Sequence, residues 1–145
     1  MIAIDTNVLL RYLLWDDNDQ ASKADRLING SAPVLITDVV LAETMWRLKG
    51  KKYRLDKAAA VAVVNSLFEE PNIQFEDGQT VWRALHDYRQ AKPVKVGREK
   101  KEADFSDALI VNKAAFCADL SGGPLAAVYT FDVAAQEIPG TAPPE

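Results

Sequence analysis

Short apolar runs alternate with segments of helical period along this chain, and no other feature constrains the fold as much. "MIAI" ends at Asp5 and gives way to "NVLLRYLL", whose apolar residues recur at helical spacing. The polar stretch "WDDNDQAS", with Asp16, Asp17 and Asp19 read as a loop, precedes a helical "KADRLING" closed by Gly30. "APVLIT" is a second strand, and Asp38 is a suitable N-cap for the helix "VVLAETMWRLK", which Gly50 stops. Asp56 caps "KAAAVAVVNSLFEE", which Pro71 ends; "IQF" makes a brief strand, and Asp77 caps "GQTVWRALHDYRQ". After a basic loop, a helix from about Ala103 to Ala118 leads through the turn at Gly122–Pro124 to the strand "AAVYT". Strands alternating with helices predict the α/β class: a three-layer α/β/α domain around a central, largely parallel sheet. With no repeat or linker visible, residues 1–138 are expected to form one domain and residues 139–145 a flexible tail.

Composition narrows the class further. Hydrophobic residues make up 48% and charged ones 26%, which is globular rather than disordered, and 145 residues suffice for a sizeable core. The single cysteine, Cys117, cannot form an internal disulfide, which fits a reducing compartment; within "NKAAFCADL" it reads as a small core residue. No apolar stretch approaches the roughly 20 residues of a membrane span, and "MIAID" carries no basic leader, so a cytoplasmic protein is expected.

Five acids lie where strands end or helices begin. Asp5 follows the first strand, Asp132 follows "AAVYT" by two residues, and Glu43 lies about a turn and a half into the helix after "VLIT". Asp104 and Asp107, spaced i, i+3, project from one face of a helix's first turn, where the helix field favours anions. In parallel sheets ligands bind beyond the carboxyl ends of the strands, so one pocket could collect all five. Clustered carboxylates need a compensating cation, and an all-oxygen set suits Mg2+ or Mn2+. Two such ions about 4 Å apart can activate a water and steady the leaving oxygen of a phosphodiester. Serine–histidine catalysis fits poorly, because the one histidine, His86, lies in mid-helix as an ordinary surface or half-buried residue.

Net charge is −4, yet the basic residues are concentrated. "RLKGKKYR" (residues 47–54) and "RQAKPVKVGREKK" (residues 89–101) hold eleven of the seventeen Lys and Arg with one Glu between them. A basic rim beside an acidic pocket is what a phosphodiester site requires, and Lys51, Lys52, Arg98, Lys100 and Lys101 are the candidate nucleic-acid contacts. The competing reading of these stretches is a solvated helix end.

Four motifs in order, "IDTNVLLRYL", "TDVVLAETMWRL", "ADFSDALI" and "VYTFD", resemble PIN-domain proteins of the VapC type, the ribonuclease toxins of type II toxin–antitoxin pairs. The likeness runs nearly end to end. It implies a PIN fold, an endoribonuclease dependent on Mg2+ (or Mn2+), an RNA substrate, a cognate antitoxin and a homodimer. By motif position Asp5, Glu43, Asp107 and Asp132 would be the catalytic acids, and Asp5, Asp104, Asp107 and Asp132 the metal ligands. Thr6, Asn7 and Thr130 would support them by hydrogen bonds. The apolar faces of "NVLLRYLL" and "AAAVAVVNSLF" are candidate antitoxin surfaces, with ordinary core as the competing reading. The chief departure from the family is the long basic loop before "ADFSDALI". An aspartyl-phosphatase fits less well, since Asn7 stands where a second acid is needed, and a receiver domain would want an acidic pair before the first helix and a phosphoacceptor Asp after a middle strand, neither of which is evident. A degenerate PIN module that binds RNA or protein without cleavage is the alternative.

Overall fold

In the computed structural model, which describes residues 1–145, the first part of the chain is organised on three parallel strands. It forms one compact unit, Met1–Gly78; Gln79–Glu145 forms the other. In the first unit β1 (Ile2–Ala3), β2 (Val34–Ile36) and β3 (Ile73–Phe75) lie in that order, with Ile2 opposite Val34 and Val34 opposite Ile73. Parallel neighbours cannot be joined by a hairpin, and helices make each crossover here. These are α1 (Thr6–Leu14) and α2 (Asn18–Ile28), then α3 (Asp38–Lys49) and α4 (Lys57–Glu69). The strands are short, so helical stripes supply most of the core. Ala21, Ala24 and Ile28, then Leu41, Met45 and Leu48, then Ala60, Val64 and Leu67 are buried at helical spacing beneath α2, α3 and α4. Leu9 and Leu10 do the same for α1, which packs on α2 and α3.

Each of these helices starts at a side-chain cap, which satisfies an otherwise orphaned backbone N–H. Asp5 caps α1 and Asp56 caps α4. For α3 the cap is Thr37 rather than Asp38: Thr37 has extended backbone and its Oγ1 accepts from Val40 N, while Asp38 is already in the first turn. The acidic "WDDND" stretch is not wholly a loop either. Asp17 accepts from Gln20 N at 3.1 Å, so α2 starts at Asn18 and contains Asp19. Tyr12 of α1 donates to Glu70 Oε1 at 2.6 Å, tying α1 to the end of α4. Burial pushes the Tyr12 phenol well above its ordinary pKa, and the adjacent Glu70 carboxylate adds to the effect.

The second unit is built on two helices, α5 (Gly78–Gln90) and α6 (Phe105–Leu120). Val81, Ala84, Leu85 and Tyr88 form the buried stripe of α5, and the Tyr88 ring meets Phe105 edge-on at 6.0 Å. Asn112 donates to Asp87 Oδ2 at 2.9 Å, a second tie between the two helices. The basic loop contains an antiparallel hairpin, β4 (Val94–Val96) and β5 (Glu99–Lys101). Gly97 has φ of 65° while Arg98 is not in the positive-φ region, so the two-residue connection fits a type II′ turn, which wants Gly in its first central position.

Strand β6 (Val128–Tyr129) pairs in parallel with β7 (Thr141–Ala142). Residues 141 and 142 were expected in a flexible tail. They are held by Val128 N to Gly140 O (2.8 Å), Thr130 N to Ala142 O (3.0 Å), and the Thr141 hydroxyl to Ile138 O (2.8 Å). Gly140 permits this: its φ is 95°, and a Cβ there would stand 3.1 Å from Val111 Cγ1. Cys117 is exposed, not a core residue, and His86 is exposed. No helix is long and apolar enough to cross a membrane.

Candidate functional site

The candidate acids are divided between the two units. In the first, Asp5 occupies the bend between β1 and α1, and its Oδ1 accepts from Val8 N at 2.9 Å. An exposed carboxylate held this way is oriented along the helix start and retains lone pairs for a cation. Thr6, the first residue of α1, is buried and makes no hydrogen bond to the acids. Asn7 Oδ1 instead accepts from Arg47 Nη1 at 3.1 Å. That bond sets the first turn of α1 beside α3, one helical turn beyond Glu43, which is exposed. From sequence Arg47 reads only as part of a basic stretch, and nothing in its spacing signals the bond to Asn7. Asp5 and Asn7 also line a groove of about 320 Å³ between α1 and α2, together with Arg11, Gln20 and Lys23.

In the second unit Asp104 and Asp107 form a reciprocal capping box. Asp104 N donates to Asp107 Oδ2 at 2.8 Å, and the Asp104 side chain accepts from the Asp107 backbone N–H. Both are half-buried at the positive end of α6, whose dipole stabilises their negative charge. Asp132 follows β6 and is exposed. Its Oδ1 accepts from Ala134 N (2.9 Å) and Ala135 N (3.2 Å), while its own N donates to Thr130 Oγ1 at 3.0 Å. Of Thr6, Asn7 and Thr130, the last is thus the one that holds a candidate acid directly.

Hollows show which residues come together within this unit. Asp107 and Thr130 line one of about 140 Å³, with Val128, Tyr129 and Thr141. Asp132 lines another of about 600 Å³ together with Lys101, Glu102 and Phe131. Lys101 brings the basic hairpin to the same cavity as an acid, and Arg98 and Lys100 are exposed on that hairpin. Lys51 and Lys52 are exposed after α3, with Lys52 Nζ 5.2 Å from the Tyr53 ring centre. Neither unit by itself gathers three acidic, histidine or cysteine side chains into a metal-holding group. The donors are nevertheless of the right kind: oxygen ligands fixed at helix starts, suited to a hard divalent cation. Phe131 was not among the candidates read from sequence.

The family model of the PIN domain matches residues 2–138, which spans both units. No curated protein matches the chain.

Proposed function

The chain belongs to the PIN-domain family, and on that premise we propose that it is an endoribonuclease dependent on Mg2+ or Mn2+, the toxin of a type II toxin–antitoxin pair. PIN domains are generally metal-dependent nucleases. The observation that carries the reading to this chain is the hollow shared by Asp132 and Lys101, where an acid able to hold a cation stands with a base able to hold a phosphate.

Asp5, Asp104, Asp107 and Asp132 would hold the cation, consistent with their oxygen donors, with the first three at helix starts and Asp132 in the turn after β6. When bound, it supplies activation of a water and neutralisation of charge on the leaving oxygen. Glu43, exposed and without a hydrogen-bond partner, takes the proton of the attacking water. Attack in line on phosphorus forms a new P–O bond and breaks the bond to the 3′ oxygen, which leaves with a proton. The products carry a 5′-phosphate and a 3′-hydroxyl. Incubating RNA with the protein in Mn2+ and in EDTA, then mapping the ends, tests this directly: cleavage confined to Mn2+ with those ends is expected. Equal cleavage in EDTA, or 2′,3′-cyclic phosphate products, overturns it. Intact RNA that is bound but never cut would favour the alternative of a binding module.

The basic residues hold the backbone in this reading. Replacing Lys51, Lys52, Lys100 and Lys101 with Ala is expected to weaken RNA binding and lower the salt slope by up to about 0.7 per lost phosphate contact on a single strand. An unchanged slope would make these residues a solvated surface. A homodimer and an antitoxin that inserts a basic side chain among the acids complete the proposal. Co-purification with the product of an adjacent gene, with loss of cleavage in the complex, is its test.

A further inference from the structure

The groove between α1 and α2 carries polar groups that the chemistry of the acids leaves unused. It encloses about 320 Å³ and lies wholly within the first unit. Val8, Ala24 and Leu27 give it an apolar lining, and Leu27 is 44% exposed there. Asp5, Asn7, Gln20 and Lys23 stand along it. An apolar bed with a few fixed polar groups is how a protein orients a small guest.

Two arginines decide which atoms of those groups a guest would meet. Arg11 Nε donates to Gln20 Oε1 at 2.7 Å, and Arg11 Nη1 is itself held by Asp16 Oδ1 at 2.9 Å. Arg47 Nη1 donates to Asn7 Oδ1 at 3.1 Å. A guanidinium has donors only, so each amide must turn its oxygen to the arginine, and its NH2 is the group left over. Lys23 also brings only N–H groups, beside its exposed ion pair to Asp19 at 3.0 Å. Asp5 is the one carboxylate of the groove. Its Oδ1 takes the Val8 N–H, and in the RNA reading the cation takes its remaining lone pairs. The groove therefore offers donors and asks for acceptors.

Uracil and guanine meet that demand, with carbonyl oxygens where cytosine and adenine carry amino groups. An amino group brought against Gln20 would set NH2 against NH2 and give up its water for no bond. A protein helix would instead need a run of apolar anchors over several turns.

We propose that this groove is a base subsite beside the scissile phosphate, and that Gln20 selects a keto base, uracil or guanine, over cytosine or adenine. The inference rests on the RNA reading above, which puts the phosphate at Asp5, and adds which base lies next to it. Gln20 sets specificity and takes no part in bond breaking.

Binding in EDTA separates this from cleavage. Fluorescein-labelled oligouridylate and oligocytidylate of equal length differ in the carbonyl or amino group at C4 and the N3 proton that goes with it. Both are titrated against the wild-type chain, Gln20→Leu and Gln20→Glu. Leu removes the amide. Glu keeps its size and an oxygen for Arg11 but puts an acceptor where the NH2 was; as the third residue of α2, it suits the positive end of that helix. The ratio of the two affinities is the readout, because the added charge of Glu weakens both. The wild type is expected to favour oligouridylate about tenfold, the difference between a bond made and a buried donor left unpaired. The ratio should fall to near one in the Leu variant and turn toward oligocytidylate in the Glu variant.

A wild type without base preference, or a preference that survives both substitutions, overturns the subsite; the nuclease reading stands if the wild type still cleaves RNA in Mn2+. Equal loss of both oligonucleotides in the Leu variant makes the groove a surface for phosphate or protein and also overturns it. A Gln20-dependent preference without cleavage upholds the subsite while the nuclease reading falls. A wild-type chain that binds no RNA refutes both. Should the Leu variant melt lower than the wild type, the ratio in the Glu variant decides alone.

Discussion

Asp5→Asn is expected to reduce Mn2+-dependent cleavage at least about a hundredfold, because the charge stabilisation at stake is several kcal/mol and each ~1.4 kcal/mol is a factor of ten. The same substitution should barely change stability. Asp5 Oδ1 accepts from Val8 N, and an Asn amide oxygen can accept the same bond, Asn and Asp being comparable N-caps. Asp5→Ala removes both functions and should cost about 1 kcal/mol of stability as well. Cleavage rates in Mn2+ beside melting curves in EDTA read the two effects separately. If Asp5→Asn cleaves as well as the wild type, Asp5 is a helix cap and nothing more.

The largest stability effect is expected at Phe105. Its ring is 1% exposed and meets Tyr88 edge-on, and its backbone lies between Asp104 and Asp107 in the first turn of α6. Phe105→Ala should lower unfolding free energy by about 3–5 kcal/mol, through lost burial and a residual cavity. Phe105→Leu, which keeps much of the volume, should cost markedly less. Urea melts give the number; a loss below about 1 kcal/mol would show that the site closes over the gap. The two acids of α6 depend on this ring for their placement, so the Ala variant should also lose cleavage.

The sequence was most informative where a pattern is local. The stripes of α3, α4 and α5 follow from their own spacing, as do the stop at Gly50 and the cap at Asp56. Thr37 and Asp38 are adjacent residues that can both cap, Asp the better by type, and backbone geometry that no residue type reveals decides for Thr37. α6 misled the reading of Cys117 because its faces are alike in polarity. Ile110 and Leu120 are exposed at 57% and 73%, so an apolar neighbourhood there does not indicate the core. β5 has all three residues exposed and no alternating apolar face, which hid it inside a charge run; the Gly97-Arg98 pair was the signal available. β7 was hidden differently. "PGTAPP" has the composition of a loop, and its pairing depends on β6, some 12 residues earlier.

The acids were legible as a set because their positions at element ends show in the pattern. Their local roles were less so. The D-x-x-D of "DFSD" is a capping-box spacing, and the box is present, so Asp107 serves α6 whatever else it does. Asn7 reads like a neighbour of the acids and is bonded to Arg47 instead, a partner forty positions away that sequence spacing does not suggest.

The basic hairpin differs in kind from the elements that carry the acids. β4 and β5 pair with each other and with no further strand, and every residue of β5 is exposed. A two-stranded ribbon taken alone is marginal in water, so this one depends on the rest of its unit for its order. Its charges still act over roughly 8 Å at physiological ionic strength, whatever conformation the ribbon holds at that instant. Under the proposed reading, capture of a polyanion would therefore precede fit: the exposed charges of the ribbon would draw the strand in from a distance before the scissile bond is aligned.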